Sequence, residues 1–115
     1  MLGAANHMEV EMGGSHVEIV RALTDLRESG AVEWAAQERG WVGEPDEILR
    51  VLAGEGFEEC KHEVTRTGRG QRPTGGVWQG LNSRTGAVGS AVWILREHAD
   101  RALVFVEVDG QPIQQ

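Results

Sequence analysis

A single cysteine, Cys60, stands among 115 residues, so no internal disulfide can form and nothing calls for an oxidising compartment. No apolar run approaches the ~20 residues that a bilayer-spanning helix needs. Met1 to Gly14 lacks the basic start and apolar stretch of a signal peptide. These absences lead to the expectation of a cytoplasmic protein without a membrane partner. Lysine occurs once and tyrosine not at all, while 11 basic residues face 18 acidic ones for a net charge of −7. That balance argues against nucleic acid as a partner, because a phosphate backbone rewards positive charge. No Gly-Lys-Ser/Thr follows the glycines, which excludes a phosphate-binding P-loop. With one cysteine and four scattered histidines there is no structural zinc signature, and neither a metal nor a cofactor is expected.

What is present suffices for a core. Leu, Ile, Val and Phe make up 27 of the 115 residues, above the range of disordered chains, and 16 glycines promise many turns. The reading is one α+β domain over residues 15–115 behind a flexible N-terminus, 1–14. The latter contains His7-Met8, a dipeptide of the kind an expression vector leaves behind.

Ser15-His16-Val17-Glu18 fits a capping box, and Val17, Val20, Leu23 and Leu26 recur every three residues, so a first helix opens at Ser15 and stops at Gly30. Ala31 to Arg39 reads as a second helix ending at Gly40. A third starts at Pro45, a favoured first helical position, with Asp46 and Glu47 at its positive end, and stops at Gly54 or Gly56. From Phe57 the period becomes that of strands. Phe57 to Thr67 is a polar strand with Cys60, His62 and Val64 on one face. Thr67 to Gly75 reads as a loop. Gly76 to Ser83 and Ala87 to Arg96 form a hairpin whose shortest turn sets Trp78 opposite Trp93. Ala102 to Asp109 is a strand, followed by a turn at Asp109-Gly110.

The expected fold class is therefore α+β, three short helices followed by a curved, four-stranded antiparallel meander. In outline this element order resembles cystatin-like or nuclear-transport-factor-like cones, where a curved sheet wraps a helix. Apolar residues on both faces of the last strands imply that both faces are covered, one by helices and the other by a second subunit.

The most informative pattern is a segregation of charge. Val64 to Arg96 contains no acid and five arginines, Arg66, Arg69, Arg72, Arg84 and Arg96, between segments that are strongly acidic. Guanidinium groups grip carboxylate or phosphate bidentately, and nearby glycines let backbone N–H groups approach an anion. Arg66, Arg69, Arg72 and Arg84, with Trp78 and Trp93 as flat walls, are thus the candidate ligand-binding residues. The expected partner is an anionic small molecule or an acidic protein surface. Two alternatives stand beside this non-enzymatic, oligomeric binding domain. One is a small enzyme with a cone-shaped pocket using Glu107 or His62 as general base. The other is a purely structural homo-oligomer in which the arginines meet acidic helices.

Overall fold

The computed structural model describes residues 16–68, 72–96 and 101–115. The expected N-terminal segment 1–14, the Ser15 cap, Arg69 and His98 lie outside the described residues, as does the Arg72 side chain.

Helix α1 spans 16–28. It buries Ile19 and Leu23 and leaves Val17 half exposed, so the apolar stripe is narrower than its three-residue spacing suggests. It ends as expected: Gly30 takes φ 85°, and the Ala31 N–H reaches back to the Leu26 carbonyl at 2.9 Å.

The helix expected over Ala31 to Arg39 is instead a hairpin, β1 (Glu33–Ala35) and β2 (Gly40–Gly43). Two facts overrule the alanines' helical preference. Trp34 and Trp41 pair across the hairpin, edge to face at 5.0 Å. Gly40 and Gly43 let β2 approach its neighbours so closely that a Cβ at either would lie 2.7 Å from Leu103 or Val32. Arg39 turns the corner at φ 58°.

Helix α2 (Pro45–Gly54) begins at its proline and buries Ile48, Leu49 and Leu52. Strands β3 (Phe57–Thr67), β4 (Arg72–Asn82), β5 (Val88–Leu95), β6 (Ala102–Val108) and β7 (Gln111–Pro112) follow. All seven strands join one antiparallel sheet in the order β1-β2-β6-β5-β4-β3, with β7 beside β6 on the edge it shares with β2. Among the described residues, two helices and a seven-stranded sheet therefore replace the three helices and four strands expected from sequence; the α+β class holds only loosely. The Asp109-Gly110 turn does form, both residues at positive φ, as a two-residue hairpin loop requires.

The β4–β5 register also departs from expectation. Trp78 faces Ala91, and Trp93 faces Gly76. A Cβ on Gly76 would lie 2.2 Å from the Trp93 ring, and one on Gly80 would lie 2.3 Å from the Trp78 ring. Each indole thus lies against a glycine, Trp93 across the strand pair at Gly76 and Trp78 along its own strand at Gly80, and a register with the two indoles opposed would take Trp93 off Gly76. The register that results leaves a four-residue loop, Ser83 to Gly86, closed by Asn82, whose Oδ1 accepts from the Arg84 and Thr85 amides. Asn82 is buried, and its Nδ2 donates to the Glu55 carbonyl at 3.1 Å, tying this loop to the end of α2.

Both helices lie on one face of the sheet, the inner face, over Trp78, Ala91, Trp93, Val104, Val106 and Val108. Trp41 is wholly buried at one end of this core, and its Nε1 donates to the Ile113 carbonyl at 2.9 Å.

Glu55 at the end of α2 carries a testable electrostatic cost. Burial raises its pKa above the ordinary 4.5, and the neighbouring Glu18 raises it further, while Arg84 opposes the shift. A raised folded-state pKa means that the folded protein binds the proton more readily than the unfolded chain. Stability therefore falls as pH rises from 4.5 toward the raised folded-state pKa, and the penalty persists above it. Glu55→Gln is expected to melt above the parent at pH 7.5, with the gap closing toward pH 4. A gap that stays constant with pH in thermal melts would show that ionisation is not the cause.

Candidate functional site

Strict alternation along β3 would group Cys60 with His62 and Val64. A β-bulge between Glu59 and Lys61 prevents this. Cys60 drops out of the ladder and is exposed, its Sγ donating to the Gln79 carbonyl at 3.5 Å. The extra residue carries Glu59 onto the inner face beside His62, opposite Gly80 and Trp78 respectively. Bulges re-aim side chains in this way because two residues on one strand oppose one on the other.

The consequence is a small polar cluster. Glu59 Oε1 accepts from Trp78 Nε1 and from His62 Nδ1, both at 3.0 Å. A carboxylate oxygen facing Nδ1 holds the proton there and leaves Nε2 as the unprotonated nitrogen of neutral His62. The imidazole meets the Trp93 ring edge-on, with centroids 5.8 Å apart. Trp93 is nearly buried by its seat over Gly76, and the His62 side chain remains about one-third exposed.

The N-terminal half of α2 stands across from this cluster, and two adjoining hollows lie between them. One, of about 320 Å³, is lined by Asp46, Arg50, Phe57, Glu59, His62 and Trp78 among others. The second, of about 380 Å³, adds Glu44, Arg66, Pro73 and Trp93, and again includes His62 and Asp46. Together they form a trough with His62 and Asp46 at its middle, Arg50 on one side and Arg66 on the other. Its lining carries three acids, two arginines, one imidazole and two indoles. The indoles are only 3% and 6% exposed and form the floor of the trough, and the polar groups around them can hydrogen-bond ligand groups of either sign.

The structure brings together four residues singled out from sequence, namely His62, Arg66, Trp78 and Trp93. It does not bring in the others that are described. Arg84 lies at the far end of β4, close enough to Glu55 to lower its pKa. Arg96, a further member of the arginine run, pairs with Glu38 at 3.7 Å, so part of the positive segment is matched within the chain. Glu107 is exposed on the opposite, outer face, beside a hollow of about 230 Å³ that includes Glu38, Arg39 and Phe105.

Sequence reasoning missed Glu59, Asp46 and Arg50. Asp46 and Arg50 carry the i, i+4 spacing that sets both on one helix face, a signal that was available. Glu59 had none, because a bulge without glycine leaves no mark in the alternation pattern.

Among the described residues no group of three His, Cys, Asp or Glu side chains is placed to hold a metal ion, and no helix is long and apolar enough to cross a membrane. Fold and site define a class: an α+β protein with, among the described residues, two helices on a seven-stranded antiparallel sheet and a trough floored by two indoles between one helix and the sheet. Comparison with protein-family models, curated proteins and solved structures found no match.

Proposed function

We propose that this chain is a non-enzymatic, cytoplasmic binding module that assembles as a homo-oligomer through the outer sheet face and seats a small acidic molecule in the trough. The flat body of the ligand lies against Trp78 and Trp93. Its anionic group turns to the Arg66 end, where β4 starts at Arg72, and Arg69 in the segment joining β3 to β4 is a further candidate contact. The observation that supports this reading is the meeting of both indoles, His62 and Arg66 around hollows of about 320 and 380 Å³. These volumes fall within the ~300–1,000 Å³ of small-molecule clefts. Glu44, Asp46 and Glu59 on the same walls repel polyanions and suit a hydroxyl or amine on the ligand body. A small aromatic acid is the class that satisfies both ends.

A low-salt thermal-shift panel of aromatic carboxylates, aromatic phosphates, nucleotides and short oligonucleotides tests this. A ligand at 100 times its Kd adds about 2.7 kcal/mol, a rise on the order of 10 °C for a domain of this size. Aromatic acids are expected to give that rise, and Arg66→Ala/Trp93→Ala to remove it. A flat panel, or an undiminished response in the double variant, overturns the reading.

One observation favours a second reading, an enzyme with His62 as general base: Glu59 orients the imidazole as a catalytic carboxylate would. Mass spectrometry of a bound panel compound after incubation separates the two. An unchanged mass supports the binding module, and a new product supports the enzyme.

A further inference from the structure

The outer face of the sheet is organised in rows that run across its strands. Lys61, Gln79, Ser90 and Glu107 are successive register partners and form a polar row, with a cation at one end and an anion at the other. Beside it run Glu63, Val77, Val92 and Phe105, and beyond those Ile94 and Leu103. On the other side of the polar row stand Leu81 and Val88.

Large apolar side chains are left open here. Leu81 and Val88 are each 46% exposed, Val92 44% and Ile94 58%. With the partly exposed Val77, Leu103 and Phe105, the apolar surface of this face totals on the order of 500 Å², crossed by the polar row at Gln79 and Ser90. Two such patches face to face would remove on the order of 1,000 Å² from water, where specific interfaces begin.

We infer that a second copy of this chain covers this face, with the twofold axis lying in the interface, parallel to β4 and β5 and between them. The inference rests on the homo-oligomer reading above and adds its geometry. Rotation about that axis lays β3 of one copy over β6 of the other, and β4 over β5, while each row stays in step with itself. Lys61 then meets Glu107 of the second copy, twice by symmetry. Leu81 meets Val88, and Val77 meets Val92. Ile94, the most exposed of the set, meets Gly75, which has no side chain to obstruct it. Aligned sheets pack within about 30° of each other, so the rows stay close to this alignment.

A perpendicular axis running along the polar row sets Lys61 on Lys61 and Glu107 on Glu107, with no opposite-charge contact in that row, whereas the chosen axis makes two Lys61–Glu107 pairs against an approach of Glu58 to Asp109 at the rim; that balance selects the chosen axis. Lys61 has an ion pair with Glu63 of its own chain at 3.9 Å, but both groups are open to solvent. An exposed pair of this kind holds its partners weakly, and the ammonium has donors to spare.

Sedimentation equilibrium of the full chain tests the inference. The parent is expected to dimerise at micromolar concentration, and Val92→Asp to be monomeric. Lys61→Glu and Glu107→Lys alone are each expected to weaken the dimer by about tenfold or more, and the Lys61→Glu/Glu107→Lys double variant to recover to within about threefold of the parent. Both positions are exposed, so these variants keep the fold, which circular dichroism verifies. A parent that stays monomeric to about 100 µM overturns the oligomer reading itself. A dimer that survives Val92→Asp overturns the choice of face. A double variant no tighter than the singles overturns the axis alone.

Discussion

Gly76→Ala is expected to lower the melting temperature by on the order of 10 °C, a loss of about 2–3 kcal/mol. The added Cβ would lie 2.2 and 2.6 Å from two atoms of the Trp93 ring and 2.8 Å from the Glu63 carbonyl oxygen. One obstacle is backbone of a paired strand, so the methyl group cannot be accommodated by tilting away from the indole. Trp93 must lift off the sheet, toward the trough it lines with His62. The variant therefore loses stability and the shape of the site together, and tryptophan fluorescence should shift with the melt. Gly54→Ala is the control: no atom lies within 4 Å of its added Cβ, and it sits at the last position of α2 with no positive φ. It should be neutral or slightly stabilising, because alanine costs less backbone entropy than glycine. Equal losses at Gly54 and Gly76 would show that the seat under Trp93 is not what holds the register.

Trp41→Ala should cost about 4 kcal/mol, within the range for removing a large buried aromatic. Trp41 is wholly buried, stacks edge-on with Trp34 across β1 and β2, and holds the Ile113 carbonyl through Nε1. Its loss empties one end of the core and frees the C-terminal residues that follow β7. Trp41→Phe keeps most of the contact with Trp34 and deletes the hydrogen bond, so it should cost about 1–2 kcal/mol. Hydrogen exchange at the Ile113 amide, which donates to the Val106 carbonyl at 2.8 Å, reports the second effect directly. If that amide stays as protected in Trp41→Ala as in the parent, the tail is held by something other than this indole.

Both predictions concern residues whose roles were only half visible beforehand. Trp93 is expected from sequence as a flat wall opposite Trp78, and nothing in the spacing names the partners of Trp41. The Trp78–Trp93 pairing expected from the shortest hairpin turn does not form, because turn length alone does not set register. The register that forms seats Trp93 on Gly76, a contact across strands. The stretch 31–39 failed for a related reason. Its alanines favour a helix by a few tenths of a kcal/mol each, whereas pairing β2 against the edge of β6 buries Trp41 completely. A contact between residues some 60 positions apart outweighed propensity within nine.

By itself the sequence determined the features that depend on a residue's own backbone or on its nearest neighbours. Gly30 ends α1, Pro45 opens α2, Phe57 to Thr67 is a strand, and Asp109-Gly110 turns the last hairpin, each because a φ preference or a short-range alternation acts locally. The same reading noted His62, Arg66, Trp78 and Trp93 without any means of saying that they share one trough. Only the tertiary structure decided that. The bulge at Cys60, the seat of Trp93 on Gly76, and the placement of α2 against β3 and β5 each arise from contacts between different elements of the chain. Their energies appear only once the sheet has closed, so no local window of residues contains them.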